Sequence, residues 1–180
     1  MLVNENSVQQ RQSFIVYTDG SGHPMTYPNA GGWACLILGS NSLRQIASGI
    51  LYSSYGGELH TTNNKMELRA IVEAVRALPA HCEVEIRTDS KYCIGMLGQG
   101  WRPKENGDLV YAYRRMVMEK DIKAVFTWVK GHSTDMFNNY VDKLTNAGDA
   151  MIMTTYNPET DNTWNLKPLP TNSSETSEPS

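Results

Sequence analysis

The sequence predicts an α/β fold in which helices pack on a mixed β-sheet. Its first part contains three strand patterns joined by short connections, which favours antiparallel pairing. Farther along, strand and helix patterns alternate, and such a succession favours parallel pairing through a crossover. The length of 180 residues and the hydrophobic content of 40% suit one globular domain.

The first strand is the apolar, β-branched run Phe14–Thr18, which delivers Asp19 to its end. Gly20 and Gly22 follow, and they allow a tight turn and a close approach of a ligand to the backbone. An Asp-Gly pair is also common in ordinary hairpin turns, so this junction alone leaves both interpretations open.

Two further strands are predicted at 32–38 and 43–52. The Ser-Ser-Tyr-Gly-Gly stretch at 53–57 is expected to end the second of them, because its small residues interrupt the apolar pattern.

A helix is predicted from the Thr-Thr-Asn-Asn segment at 61–64 to about Leu78, since those residues are good N-caps and Pro79 stops the helix. Glu67 lies on its apolar stripe, four residues before Ile71. A carboxylate that points toward the core is costly unless a charge compensates it.

The run from Cys82 to Ser90 repeats the first arrangement, with Asp89 at a strand-to-helix junction. Helices are then predicted at 91–97 and 108–119, and a last strand at 122–129. Parallel pairing would place the ends of the Asp19 and Asp89 strands side by side.

The final helix is predicted at about 137–153. Its residues Asn138, Asp142 and Asn146 share one polar stripe, so Asp142 can face the same place as His132, which follows the last strand. A lone histidine after a glycine is usually an exposed loop residue, and only its position near Asp142 gives it a candidate role.

The organisation expected is a flexible N-terminus at 1–12, one domain at 13–153 and a disordered tail at 154–180, in which Pro, Ser, Thr and Asn predominate. The tail offers a site for a partner, although its composition identifies none. The three cysteines have no metal-type spacing, and we interpret them as buried reduced thiols. The polar N-terminus and the lack of a long apolar run indicate neither secretion nor membrane insertion, so a cytoplasmic location is expected, as is a monomer.

The net charge of −3 does not exclude a polyanionic partner. The tail contains one Lys against four Asp or Glu, whereas 87–130 contains nine Lys or Arg against five Asp or Glu. An excess of this size is also common on ordinary surfaces, so charge alone decides nothing.

Four segments together resemble type 1 ribonuclease H over about residues 13–150. They are Thr-Asp-Gly-Ser at 18–21, Thr-Thr-Asn-Asn-Lys-Met-Glu-Leu at 61–68, Thr-Asp-Ser at 88–90 and Trp-Val-Lys-Gly-His at 128–132, with Asp142 ten residues after His132. The resemblance implies a mixed five-stranded sheet flanked by helices, of the RNase H-like fold.

The resemblance also implies the chemistry. Asp19, Glu67, Asp89 and Asp142 would bind metal, two Mg²⁺ ions or alternatively Mn²⁺, and His132 would be a mobile auxiliary residue. The implied activity is hydrolysis of the RNA strand of an RNA/DNA hybrid, which leaves 5′-phosphate and 3′-hydroxyl ends.

Several residues are candidates for substrate contact on the same basis. Gly20 and Ser21 would approach the RNA strand, and Asn63 and Asn64 would read the minor groove, although helix capping is an equal alternative for the two asparagines. Asn138 would lie near the scissile bond. Thr88 and Ser90 would bind a DNA phosphate or merely close the turn around Asp89.

The chain departs from the family between the helices predicted at 91–97 and 108–119, where other members have a basic helix and handle loop. Only Gly98–Gly107 lies there. We expect weaker, more salt-sensitive hybrid binding, with Trp101, Arg102 and Lys104 as the remaining contact, although Trp101 equally suits the core.

Two other functions remain open at this stage. One is a related polynucleotidyl transferase or exonuclease of the same superfamily that cuts DNA or single strands. Asp-Gly-Ser rather than Asp-x-Glu after the first strand disfavours the exonucleases. The other is a hybrid-binding module without catalysis, which four clustered carboxylates disfavour because they repel a polyanion.

Overall fold

The architecture is a five-stranded mixed sheet with helices on both faces, as predicted. The structure is a computed structural model, and it describes residues 10–23, 29–41, 46–131 and 134–155. The strands are β1 (Gln12–Gly22), β2 (Gly31–Asn41), β3 (Ile46–Glu58), β4 (Cys82–Thr88) and β5 (Lys123–Trp128). The helices are α1 (Asn63–Ala77), α2 (Lys91–Cys93), α3 (Gly107–Glu119) and α4 (Met136–Thr155), and a π-helical turn (Ile94–Gly98) follows α2 directly.

The sheet order is β3-β2-β1-β4-β5. The pairs β1–β2 and β2–β3 are antiparallel, whereas β1–β4 and β4–β5 are parallel. The strand β1 is therefore central, and the parallel register brings the ends of β1 and β4 to the same edge of the sheet, as the sequence predicts.

Alternation along β1 divides the core between the two faces of the sheet. Val16 belongs to the core cluster that contains the apolar stripe of α1 and residues of α3, while Ile15 and Tyr17 belong with Val141 of α4 to a second cluster. By the same alternation, Asp19 belongs to the α4 face and Gly20 to the α1 face.

The prediction that β3 ends at 53–57 is wrong, because β3 continues through this stretch to Glu58. The glycines there serve packing rather than turning. A Cβ on Gly57 would meet the backbone oxygen of Gly148 at 2.5 Å, and a Cβ on Gly148 would overlap Gly56, so α4 rests almost directly on the backbone of β3.

The helix predicted at 91–97 is also different, because only three residues are α-helical before the π-helical turn. The other predicted elements agree with the structure to within a few residues, except that 43–45 lie outside the described residues. The three cysteines are free and buried, as expected. No described helix has the length and apolar character that crossing a membrane requires.

Candidate active site

A cleft at the end of β1 and β4 is lined by most of the candidate site residues predicted from the sequence. Its lining is acidic and polar, and it draws on β1, α1, the end of β4 and α4. The residues that line it are Asp19, Gly20, Ser21, Asn63, Glu67, Asp89, Asn138, Asn139 and Asp142.

Three carboxylates lie together in this cleft. Asp19, Glu67 and Asp89 each offer one oxygen, and these oxygens lie within 4.8 Å of one another. Asp142 adjoins them, since it lines the same cleft and its charge acts on Asp19. Residues far apart in the sequence therefore form a single acidic cluster.

The close approach of α1 to β1 explains how Glu67 reaches Asp19 from the opposite face of the sheet. A Cβ on Gly20 would overlap the backbone of Met66 and Glu67, so only glycine permits this contact. Asp89 is covered on another side by Gly131, where a Cβ would stand 2.7 Å from the Asp89 Oδ2 atom.

The cluster is electrostatically strained. Burial, together with the charges of Asp89 and Asp142, raises the pKa of Asp19 to about 7, although a hydrogen bond with Thr145 acts in the opposite direction. Burial and the charges of Asp19 and Asp89 also raise the pKa of Glu67 well above its ordinary value. These carboxyl groups therefore hold protons more firmly than exposed ones do.

Glu67 is the most deeply buried carboxylate of the cluster, with 5% of its surface exposed. Its Oε2 atom makes no hydrogen bond with any described residue. A buried carboxylate oxygen without a partner is costly, and a cation between the carboxylates would remove that cost. The donor set consists of hard oxygen ligands, which suit a small divalent cation.

The asparagine Asn63 lines the cleft in a fixed orientation. Its Oδ1 atom accepts a hydrogen bond from the Gly22 backbone N–H at 3.2 Å, so its amide NH₂ group remains available as a donor. The N-cap of α1 is Thr62, whose side chain accepts from the Lys65 N–H. Capping by Asn63 or Asn64, one of the two alternatives, is therefore wrong, and Asn64 is exposed outside the cleft lining.

The residues around Asp89 have local structural roles. The Thr88 Oγ1 atom accepts from the Ser90 N–H at 3.1 Å, and the Ser90 Oγ atom accepts from the Cys93 N–H and caps α2. Thr88 is completely buried. These contacts agree with the alternative in which both side chains close the turn.

The predicted residual contact lies outside the cleft. Trp101, Arg102 and Lys104 are exposed in the short connection between the π-helical turn and α3. The Trp101 ring rests on Gly95, yet 50% of its surface is exposed, so the alternative of a core residue is wrong.

Sequence reasoning missed two neighbours of Trp101. Lys91 and Trp128 line one shallow depression with Trp101, and the Lys91 Nζ atom stands 5.5 Å from the centre of the Trp128 ring. The Trp128 Nε1 atom donates to the Asp89 backbone oxygen at 3.2 Å, which joins this surface to the acidic cleft. The one available sequence signal was weak, namely the position of Trp128 near the end of the last predicted strand. The remaining candidate, His132, lies outside the described residues.

Comparison with known proteins agrees with this geometry. The sequence profile of the RNase H family matches residues 11–150. A ribonuclease H of Hahella chejuensis is 38% identical over 146 residues, which cover 74% of this chain and 90% of that protein. A ribonuclease H of Polaromonas naphthalenivorans is 32% identical over 159 residues, which cover 80% and 91%.

Solved structures show the same fold. LC11-RNase H1, crystallised in complex with an RNA/DNA hybrid, superposes with a TM-score of 0.63 at 22% identity, covering 78% of this chain and 99% of that one. The N-terminal RNase H domain of a Mycobacterium tuberculosis protein gives 0.63 at 20% identity, covering 81% and 99%. By its sequence, its fold and the acidic cleft at the end of its central strands, this chain belongs to the RNase H family.

Proposed function

We propose that this protein is a divalent-metal-dependent endonuclease that hydrolyses the RNA strand of RNA/DNA hybrids, leaving 5′-phosphate and 3′-hydroxyl ends. The observation that carries the proposal is the approach of three carboxylates from β1, α1 and the end of β4 to within 4.8 Å. The ribonuclease H relatives and the hybrid seen with LC11-RNase H1 support the choice of substrate.

Asp19, Glu67, Asp89 and Asp142 are the residues that would hold the cations. When bound, two divalent cations supply the positive charge that activates a water and stabilises the departing 3′ oxygen. Oxygen-only ligands favour Mg²⁺, with Mn²⁺ as the alternative. The unpaired Oε2 atom of Glu67 and the raised pKa values of Asp19 and Glu67 support this assignment, since cations would offset both the repulsion and the burial.

The substrate strand would be read from the minor-groove side. Asn63 lines the cleft, and its NH₂ group would suit acceptors such as a 2′-hydroxyl oxygen or a base edge. Gly20 and Ser21 line the same wall, and Gly20 has no side chain to obstruct the strand. Asn138, on the α4 side, would contact the neighbourhood of the scissile phosphate. Asn64 would extend the minor-groove contact beyond the cleft.

The DNA strand would be gripped by the surface around Trp101. The exposed ring offers stacking, and Arg102, Lys104 and Lys91 offer charge. Because this surface is small and partly ionic, we expect hybrid affinity to fall steeply with salt. Replacing Trp101, Arg102 and Lys104 together should weaken binding in a fluorescence-anisotropy titration, and unchanged affinity would defeat this assignment. Thr88 and Ser90 would act mainly through the turn that carries Asp89.

The decisive experiment compares a hybrid duplex with double-stranded RNA, double-stranded DNA and single-stranded RNA, in Mg²⁺, Mn²⁺ or chelator. Wild type should cut only the RNA strand of the hybrid and only with metal, and Asp89→Asn should abolish cutting. Cleavage of DNA or single strands would favour the related nuclease. Tight hybrid binding without cleavage would indicate a binding module, or an enzyme that needs a partner in place of the missing handle.

His132 is proposed to assist proton movement or product departure rather than to hold metal. His132→Ala should therefore slow turnover without abolishing it, whereas Asp19→Asn and Asp89→Asn should abolish turnover. Equal and total loss in all three variants, measured as initial rates on the hybrid, would contradict this role.

The remaining assignments concern the setting of the enzyme. We propose one catalytic domain at about 13–153 that acts as a monomer in the cytoplasm. In the structure β1 begins at Gln12 and α4 extends to Thr155, and most of the segments predicted to be flexible, 1–12 and 154–180, lies outside the described residues. A role of 154–180 in recruiting a partner is also proposed, although the composition of this segment identifies none. Light scattering of the purified chain, with and without 154–180, tests the monomer.

A further inference from the structure

Three side chains below the acidic cleft are hydrogen-bonded in a row. The Arg87 Nη1 atom donates to the Tyr17 Oη atom at 2.7 Å, and the Tyr17 hydroxyl donates to the Asp135 Oδ2 atom at 2.7 Å. Each of the three residues is close in sequence to a carboxylate of the cluster. Tyr17 lies on β1 before Asp19, Arg87 lies on β4 before Asp89, and Asp135 directly precedes α4, which contains Asp142.

The sequence separations are regular. Tyr17 lies two residues before Asp19 on β1, and Arg87 lies two residues before Asp89 at the end of β4. Side chains two residues apart in a strand point to the same face, so Tyr17 and Asp19 both face α4. Asp135 directly precedes α4 and lies seven residues, about two helical turns, before Asp142 on that helix.

Both ends of this row are fixed. The Asp135 Oδ1 atom accepts from the backbone N–H groups of Phe137 and Asn138, at 2.9 and 3.3 Å, and thereby caps the first turn of α4. At the other end, Arg87 forms a two-pronged ion pair with Glu85, at 3.1 and 3.2 Å. The arrangement therefore ties the start of α4 to two strands of the sheet.

The central member is held most tightly. Tyr17 is 2% exposed, its ring stands 5.7 Å from that of Phe137, and the Arg87 guanidinium lies 5.4 Å from its centre. A buried hydroxyl that both accepts and donates has little freedom to move. A change in the rotation or height of α4 would break the bond to Asp135.

We propose that Tyr17, Arg87 and Asp135 form a positioning network that sets α4 against β1 and β4, and thereby holds Asp142 and Asn138 at the correct distance from Asp19 and Asp89. The proposal rests on the proposed function. The three residues make no contact with substrate themselves. They act only through the positions of Asp142 and Asn138 on α4.

The test uses Tyr17→Phe, which removes the hydroxyl and keeps the ring. We expect kcat on the hybrid to fall by about tenfold while KM changes by less than about twofold, because the defect concerns the cluster and not the substrate surface. The dissociation constant for Mn²⁺ without substrate, measured by calorimetry, should rise severalfold, and the far-ultraviolet circular dichroism should remain that of wild type.

A matched control is Ser13→Ala. The Ser13 hydroxyl donates to Glu83 Oε1 at 2.5 Å and also joins β1 to β4, but at the opposite end of the strands. This variant should keep wild-type kcat and Mn²⁺ affinity. If Ser13→Ala lowers both as much as Tyr17→Phe does, the effect is general destabilisation and the proposal fails.

Asp135→Ser separates capping from positioning, because serine caps helices well but is too short to keep the bond to Tyr17. Asp135→Ser should lose as much kcat as Tyr17→Phe, and the double variant should lose no more than either. Wild-type kcat and Mn²⁺ affinity in Tyr17→Phe, or additive losses in the double variant, would overturn the network.

The two proposals can fail separately. A wild type that binds Mn²⁺ but does not cut hybrids would contradict the proposed function, and the Mn²⁺ affinities of the variants would still decide the network. A wild type that neither binds Mn²⁺ nor cuts would overturn both.

Discussion

Replacing Asp19 by asparagine should make the metal-free protein more stable at neutral and alkaline pH, although it should destroy activity. In the folded protein the pKa of Asp19 is raised from 3.8 to about 7 by burial and by the charges of Asp89 and Asp142. The ionised carboxylate is therefore less favourable in the folded chain than in the unfolded chain.

The size of the effect follows from the pKa shift. A pKa shift of one unit corresponds to about 1.4 kcal/mol. The full shift of Asp19 therefore sets an upper bound of about 4 kcal/mol on the stability that wild type loses. Part of this is shared with Asp89 and Asp142, and we therefore expect about 2 kcal/mol at pH 8. Well below pH 3.8 the carboxyl group is protonated in both states, so this contribution is absent. As pH rises from about 4 to 7, wild type loses stability that Asp19→Asn keeps.

The assay is urea unfolding at a series of pH values in chelator, followed by circular dichroism. A stability difference between Asp19→Asn and wild type that stays constant or shrinks from pH 4 to pH 8 would refute the reasoning. Asp121→Asn provides a control of opposite sign, because hydrogen bonds from His81 and Arg11 lower the pKa of exposed Asp121. Wild type should exceed that variant in stability above about pH 4 and lose the advantage in acid.

Three more outcomes test the structure. Gly20→Ala should push α1 away from β1 and reduce turnover on the hybrid by at least about tenfold. Gly107→Ala is the control and should leave initial rates unchanged, because its Cβ would meet the nearest neighbour only at 3.6 Å. Equal effects of the two variants would contradict the close approach of α1 to β1. Lys120→Met should lower the free energy of unfolding by about 1–2 kcal/mol in urea titrations. The reason is that the Lys120 ammonium donates to three backbone oxygens at the end of α1. An unchanged urea midpoint would show that these hydrogen bonds do not stabilise the fold. Mg²⁺ should raise the melting temperature of wild type more than that of Asp19→Asn, and equal shifts in differential scanning fluorimetry would place the cation elsewhere.

The sequence predicted the acidic cluster well because strand ends and helix periodicity constrain side-chain direction strongly. Asp19 and Asp89 each end a strand, and the parallel register of β1 and β4 brings those ends together. Glu67 lies on an apolar stripe, where a carboxylate is costly unless a charge compensates it. Local pattern and chain topology account for these placements, whereas the assignment of all four carboxylates to one metal site was implied by the resemblance to type 1 ribonuclease H.

The errors arose where tertiary packing overrides local pattern. Gly56 and Gly57 look like a turn, but they belong to β3 because α4 packs against their backbone. The π-helical turn at Ile94–Gly98 was also not predicted from the sequence. It contains Gly95, on which the Trp101 ring packs. Neither contact has a signature within a short window of sequence.

The hydrogen-bonded row below the cleft was missed for a similar reason. Tyr17 and Arg87 belong to ordinary strand patterns, and Asp135 precedes a helix as many capping residues do. Their relation depends on a register between strands and a helix that are far apart in the chain.

The distribution of the four carboxylates along the chain bears on the protein's own synthesis. Asp19, Glu67 and Asp89 lie in the first half, whereas Asp142 belongs to the last described helix. Translation therefore makes three of the acidic residues early and the fourth only when α4 is synthesised. A nascent chain lacks the complete set of four carboxylates until that last described helix has been made.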